Sequence, residues 1–117
     1  MKNFKQLRIW QKGFEIAVQS FKLVESFPKE ERFGLCNQIT RASVSIPSNI
    51  AEGSGRNSEK DYHRFLEHSL GSAFELETQL LIADSVNYGD PAARSKLIQD
   101  VLDEQKMLTS FMGKLNR

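Results

Sequence analysis

The sequence has little that would mark a secreted, membrane-bound or disulfide-stabilised protein. Its 117 residues include a single cysteine, Cys36, so no disulfide can form within the chain and a reducing compartment is expected. The N-terminus has no apolar segment typical of a signal peptide, and no apolar run approaches the length of a membrane span. These absences predict a cytoplasmic protein with no membrane partner.

Charge of one sign is also lacking. The chain carries 16 basic and 15 acidic residues, which gives a formal net charge of +1. A dedicated nucleic-acid-binding domain usually has a strong basic excess. Any nucleic-acid-binding surface therefore has to be a local basic patch.

The residues that catalysis requires do not form a recognisable set. Gly53 and Gly55 fit neither the phosphate-loop nor the dinucleotide fingerprint, and they follow a predicted helix rather than a strand. No serine lies in a pattern that places a base beside it. His63 and Glu67 stand one helical turn apart, but two ligands do not make a zinc site. We therefore predict no catalytic residue, no metal site and no cofactor.

Helical periodicity dominates the rest of the sequence, and no stretch alternates as a strand would. Ser58 and Asp90 are predicted N-caps, the second with Pro91 at the first helical position. With short connections, the pattern predicts a single all-α domain over residues 1–117, an antiparallel up-and-down four-helix bundle. The predicted helices run from about Phe4 to Ser26, from Glu31 to Glu52, from after Ser58 to Asn87, and from Asp90 nearly to the C-terminus.

Two sets of apolar residues follow the first predicted helix. We assign the larger set to the core: Leu7, Trp10, Phe14, Ala17, Val18, Phe21 and Val24. Ile9, Ile16 and Leu23 recur every seven residues on another side, which a monomeric bundle would leave exposed. A repeated apolar seam of this kind predicts an oligomer interface, and a wide core stripe is the alternative.

The segment SVSIPSNIAEGSGR, residues 43–56, is interpreted as structural. Pro47 cannot donate a hydrogen bond and is predicted to kink the second helix, with serine hydroxyls bonding carbonyls one turn back. Gly53 is predicted to end that helix in a left-handed cap, and Gly55 to let the chain reverse. Asn49 lies at the edge of the core stripe.

Glu77 points into the apolar arc of the third helix, where an unpaired carboxylate is costly. A functional carboxylate is one interpretation. The other, which we favour because no second acid or base accompanies it, is an acceptor for an arginine, a serine or Asn49.

Basic residues gather in the loop that follows Gly55 and in the first turns of the third predicted helix. Arg56, Lys60 and Arg64 cluster there, and Arg41 lies on the second helix. In a symmetric assembly such a cluster would repeat as a basic band able to contact phosphates in a salt-dependent way. No aromatic platform accompanies it, so base-specific recognition is not indicated. An ordinary solvated charged face is the alternative.

Three segments carry a resemblance to a known family: LRIWQKGFEIAVQ, RASVSIPSNIAEGSGR and FLEHSLGSAFELETQLLIA. With them the chain resembles the four-helix bundle proteins encoded in 23S rRNA intervening sequences, whose superfamily includes the accessory variability determinants of diversity-generating retroelements. The resemblance implies a ring-like homopentamer without catalytic activity. For the retroelement relatives it implies a basic surface that binds nucleic acid and a reverse transcriptase.

The sequence thus predicts a non-enzymatic homo-oligomeric scaffold or binding protein. RNA or a ribonucleoprotein is the leading predicted partner, and DNA is an alternative. A protein adaptor, such as a reverse-transcriptase accessory subunit, is the alternative. An enzyme is the least favoured class, since no nucleophile, base and stabiliser occur together.

Overall fold

The computed structural model describes residues 3–115, and within them the regular structure is helical. The order of elements confirms the all-α prediction. The long helices are α1 (Arg8–Val24), α2 (Leu35–Ser54), α3 (Glu59–Ser85) and α4 (Pro91–Gly113), and short 3-10 turns cover Phe4–Gln6 and Lys29–Glu31.

The predicted caps of α3 and α4 are confirmed. Ser58 Oγ accepts a hydrogen bond from the Asp61 amide at 3.0 Å. An oxygen of the Asp90 carboxylate accepts from the Ala93 amide at 2.8 Å, with Pro91 at the start of the helix. Each side chain satisfies an amide that has no partner within its helix, which fixes where the helix begins.

The first two helices begin later than predicted. Phe4–Gln6 form a 3-10 turn before α1, and Lys29–Glu31 form another before α2. Gly34, with φ −108° and ψ −108°, separates the second turn from α2, so the helix cannot run on from Glu31. These tight turns shorten the helical rods and set their entry angles.

The helices pack as an antiparallel bundle in which each contacts the next along the chain, and α1 closes the ring against α4. One end of the bundle holds the α2–α3 connection, and the other holds the connections of α1 with α2 and of α3 with α4. The largest fully buried hydrophobic side chains along the axis are Ile16, Ile39, Ile46, Ile50, Leu66, Leu76, Leu80, Leu97, Val101 and Leu108.

The prediction of which side of α1 faces the core is wrong. Ile9, Ile16 and Leu23, placed on an outer oligomeric seam, are core residues with 4%, 0% and 4% of their surface exposed. Phe14 and Phe21, which were assigned to the core, face outward instead and are 52% and 50% exposed. Of the other residues assigned to the core, Val18 is exposed, Ala17 is buried, and Leu7, Trp10 and Val24 are partly buried against the core. The wide-stripe alternative explains the pattern, because α1 is apolar on both its inner and its outer side.

Small residues let α1 and α3 approach α2 around Pro47, which is buried inside the helix. On the α1 side, a Cβ added to Gly13 would lie 3.4 Å from the Pro47 nitrogen. On the α3 side, Ser69 Oγ donates to the Ile46 carbonyl at 2.9 Å, and Ser72 Oγ donates to Ser45 Oγ at 2.8 Å. Both neighbouring helices therefore lie close to α2 at this segment. The kink at Pro47 stays a prediction.

Ser43 and Asn49, on either side of Pro47, bond back to their own helix, so the back-bonding predicted for the serines is seen at Ser43. Ser43 Oγ donates to the Thr40 carbonyl at 2.8 Å. Asn49 Nδ2 donates to the carbonyl and the hydroxyl oxygen of Ser45, at 2.8 and 2.9 Å. The Asn49 amide is thus satisfied within α2, at the edge of the core.

The role of Gly53 differs from the predicted one. α2 continues through Gly53 to Ser54, and in residues 3–115 only Asn87 and Gly89 have a left-handed φ, so there is no such cap at Gly53. Gly53 instead provides room, because an added Cβ would lie 2.7 Å from Phe65 Cβ. Gly55 caps α2 with φ −90°, a conformation open to any residue, and the chain reverses there towards α3.

Candidate nucleic-acid interface

The α2–α3 connection and the first turns of α3 border an open cavity of about 780 Å³. Arg56, Lys60 and Arg64 line it. The structure therefore brings together three of the four residues predicted to bind nucleic acid.

Each arginine of this cavity is engaged with acidic neighbours. Arg56 Nη2 lies 2.9 Å from a Glu52 carboxylate oxygen, and its Nε lies 3.9 Å from Asp61. Arg64 Nη2 donates to the other Asp61 oxygen at 2.7 Å. Asp61 thus links the two arginines and holds them on the same side of the loop.

The ring of Phe65 lies beneath the guanidinium groups of the same two arginines. The guanidinium carbons of Arg56 and Arg64 lie 4.5 and 4.8 Å from the centroid of its ring. Phe65 itself is buried, so it supports the guanidinium groups rather than offering a free surface to a base. This agrees with the prediction that the cluster has no stacking platform.

Acidic side chains also line the cavity. Asp61 and Glu67 stand against the three cations, and Nδ1 of the buried His63 lies 3.8 Å from a Glu67 oxygen. An anion entering here has to compete with carboxylates for the arginines. In residues 3–115 there is no group of three or more His, Cys, Asp and Glu side chains placed to hold a metal ion.

Arg41 lies apart from the other predicted residues. It borders a separate hollow that Asn37, Gln38 and Glu75 also line. It precedes Arg56 by fifteen positions along α2 and the following loop, which places it about 20 Å further down the bundle. Arg41 does not belong to the same cluster.

A second basic cavity, which the sequence did not reveal, opens between the start of α1 and the end of α4. It measures about 510 Å³ and is lined by Arg8, Lys106 and Lys114, with no carboxylate among its lining residues. None of these three cations has an ion-pair partner within the described part of the chain. Unlike Arg56 and Arg64, they are not held by ion pairs, although Arg8 also borders a hollow that Glu15 and Asp103 line.

Both basic cavities lie at the same end of the bundle. That end combines the start of α1, the α2–α3 connection and the end of α4, and the molecule is only 22 × 20 Å in cross-section. The nearly neutral chain thus gathers unpaired positive charge at one end.

An aromatic and aliphatic face covers the outer side of α1. Phe4, Trp10 and Phe14 form a chain of ring contacts with centroids 5.3 and 5.2 Å apart. The stripe continues through the exposed Val18 and Phe21. We call the stripe from Trp10 to Phe21 the α1 outer face. It is a more plausible contact surface than the buried residues chosen from the sequence.

Glu77 accepts a hydrogen bond from Gln105 Nε2 at 2.8 Å, so its partner is neither the arginine, nor the serine, nor Asn49 expected. The arginine that reaches α3, Arg94, pairs instead with Asp84 at 2.8 Å and donates to the Tyr88 carbonyl. The fully buried acid of the bundle is Glu104. It lies between Val101 and Leu108 on the apolar stripe of α4, and that interruption is the signal that identifies it.

The fold and its surfaces define a small helical-bundle protein with a basic end and an exposed aromatic helix face. The chain belongs to the 23S rRNA-intervening sequence protein family, whose model matches residues 5–110. Within residues 3–115, none of the helices has the length and apolar character that crossing a membrane requires.

A solved structure has the same fold. It is a protein of unknown function from the S23 ribosomal protein family from Bacteroides thetaiotaomicron, 25% identical to this chain, with a TM-score of 0.79. The similarity covers 89% of this chain and 97% of the other. No curated protein sequence matches this chain.

Proposed function

We propose that this protein is a non-catalytic, homo-oligomeric nucleic-acid-binding scaffold that holds RNA through its phosphates at the basic end of the bundle. The observation that carries the proposal is the cavity between α1 and α4, where Arg8, Lys106 and Lys114 stand without a carboxylate. Unpaired cations in a hollow attract phosphate oxygens and release counterions when these bind.

The cluster of Arg56, Lys60 and Arg64 extends this surface. Asp61 pre-positions the two arginines, and a phosphate that displaces it finds both guanidinium groups on one side of the loop. Because the Phe65 ring lies under them, contacts here are to the backbone and not to the bases. Binding is therefore expected to depend on salt and to discriminate little between sequences.

Replacing Arg8, Lys106 and Lys114 together with alanine is expected to reduce the salt dependence of RNA binding. On a single strand, each lost phosphate contact lowers the slope of log K against log salt by about 0.7, so the slope for the triple variant should be smaller by about 2. Fluorescence anisotropy with a labelled single-stranded RNA at several salt concentrations measures this slope.

Arg56→Ala with Arg64→Ala tests the second cluster in the same assay. The matched control is Lys22→Ala with Lys29→Ala, which removes exposed cations from the opposite end of the bundle. Equal losses in the control and in the basic-end variants, or binding that salt does not affect, would contradict the proposal.

The homo-oligomer is proposed from the α1 outer face and from a second apolar area on α3, where Phe74 and Leu81 are exposed. The area beside Phe74 includes a hollow of about 440 Å³ bordered by residues of α4. Two unlike faces on helices across the bundle suit a head-to-tail contact, which closes into a ring when the rotation allows. The number of five subunits comes from the family resemblance alone.

Phe14→Ala with Phe21→Ala is expected to lower the solution mass towards that of the 13.4 kDa subunit, because the variant removes the largest exposed rings of the α1 outer face. Light scattering over a range of protein concentrations measures the mass. Phe33→Ala is the matched control, since Phe33 is exposed but lies outside both faces. An unchanged mass in the double variant would show that the α1 outer face is not the interface.

A protein adaptor is the second candidate, and the α1 outer face is the observation that favours it, because an exposed aromatic surface suits a protein partner as well as a second copy. A reverse transcriptase is one such partner, and a reverse-transcriptase gene with a template repeat beside this gene would support it. A stable oligomer that ignores RNA at low salt would favour this candidate over RNA binding.

A further inference from the structure

Glu104 of α4 is an ionisable residue whose charged form is not stabilised by its surroundings. Its side chain is 0% exposed, and neither of its carboxyl oxygens has a hydrogen-bond partner within residues 3–115. A charged carboxylate in such a place is costly, and a neutral one much less so. The proposed function gives this group no role.

Three helices converge on the Glu104 carboxyl. A Cβ added to Gly13 of α1 would lie 3.1 Å from Glu104 Oε2 and 3.1 Å from a methyl carbon of Ile46 on α2. The neighbouring Pro47 nitrogen carries no hydrogen, and the amides of a helix interior are committed to their own helix. α1 therefore packs against the acid at Gly13 without supplying a donor to it.

The nearby charges do little to support ionisation of Glu104. Lys12 is the cation of α1 that acts on it, but Lys12 Nζ is bonded to Asp100 at 3.0 Å, and Lys96 bonds the other Asp100 oxygen at 2.8 Å. From α3, Glu77 bonds the residue that follows Glu104, and the α2 side chain that reaches the same point at Gly13 is the apolar Ile46. Burial consequently raises the pKa of Glu104 to about 8, against the opposing charge of Lys12.

We propose that Glu104 is a proton-dependent latch for α1: its neutral carboxyl lets α1 pack closely at Gly13, and its ionisation loosens α1 so that water or Lys12 can reach the carboxylate. The change is confined to the α1–α4 side of the bundle. Ser69 and Ser72 hold α2 and α3 together through bonds that involve no ionisable group.

The latch adds a pH-dependent contribution to the stability of the fold. The folded protein holds this proton more tightly than the unfolded chain, in which a glutamate titrates near 4.5. The contribution of Glu104 to the free energy of unfolding is therefore largest below pH 4.5, falls as the pH rises, and levels off above about pH 8, where both states are ionised.

Trp10 provides the readout, because it is the single tryptophan of the chain and lies one turn before Gly13 on α1. In the full-length protein, its fluorescence should change with a midpoint near pH 8. Glu104→Gln should abolish the change, and Glu104→Met should do the same while keeping an apolar side chain of similar size. Glu75→Gln, at an exposed carboxylate of α3, is the matched control and should retain it.

A transition that persists in both Glu104 variants would overturn the latch and assign the change to another titrating group. The absence of a transition in the unmodified protein would overturn it as well. Should neither variant fold, carbon-13 NMR of glutamate carboxyls in the unmodified protein decides the question: one carboxyl titrating near pH 8 is expected, and titration of every glutamate below pH 6 contradicts the proposal.

Discussion

Replacing Ile16 with alanine is expected to lower the free energy of unfolding by about 2–5 kcal/mol. Ile16 is fully buried in the middle of α1, and its neighbours in the core, such as Ile46 and Leu76, are fully buried too. Removing its side chain loses apolar contacts and leaves a cavity that rigid neighbouring helices fill only in part. A loss of this size is a large share of the total stability, about 5–15 kcal/mol, of a domain.

Urea unfolding followed by circular dichroism measures the loss for Ile16→Ala, at several protein concentrations so that assembly is accounted for. Val18→Ala on the same helix is the matched control, because Val18 is an exposed aliphatic residue of the α1 outer face and should change the unfolding free energy of the subunit little. If Val18→Ala proved the more destabilising variant, the assignment of Ile16 to the core side of α1 and of Val18 to its outer side would be wrong.

Gly53→Ala is expected to destabilise the fold by about 1–3 kcal/mol, although alanine is the better helix former. The added Cβ would lie 2.7 Å from Phe65 Cβ and 3.0 Å from Tyr62 Cδ1. Phe65 Cβ is attached directly to the backbone of α3, so it cannot move aside as the end of a flexible side chain would. α2 and α3 have to separate beside the loop that carries Arg56.

Gly71→Ala is the matched control for Gly53→Ala. Gly71 lies inside α3, is exposed, and has no atom of another residue within 4 Å of an added Cβ. Only the higher helix propensity of alanine then matters, and the free energy of unfolding of the variant should rise by about 0.5–1 kcal/mol. Thermal unfolding of the two variants compares them directly. A gain at Gly53 equal to the gain at Gly71 would show that α2 and α3 are not in close contact there.

The fold was predictable because its signals are local. Ser58 and Asp90 cap their helices through bonds to amides three residues on, so the two helix starts could be read from a few letters. Local signals did not reveal which side of α1 faces the core. That helix is apolar on two sides, and its phenylalanines outweigh the smaller core residues, among them Gly13 and Ser20. The close approach of the other helices decides which side is inside.

Part of the candidate site could likewise be predicted from the sequence, and part of it depends on the fold. Arg56, Lys60 and Arg64 are neighbours along one connection, so the sequence places them together. Arg8 and Lys114 meet only because the first and last helices of the bundle lie side by side, which periodicity alone cannot reveal. The acids that neutralise Arg56 and Arg64, by contrast, stand at i,i+4 and i,i+3 spacing, which is a signal that the sequence itself contains.

The serine contacts between α2 and α3 have a consequence for how the binding surface can evolve. Ser69 and Ser72 fix the register of the two helices by hydrogen bonds to Ile46 and Ser45, well below the connecting loop. The loop residue Asn57 is exposed, and the loop is anchored from beneath. If the proposed function holds, substitutions at Asn57 can therefore change binding at little cost to folding, so affinity and fold can be selected separately.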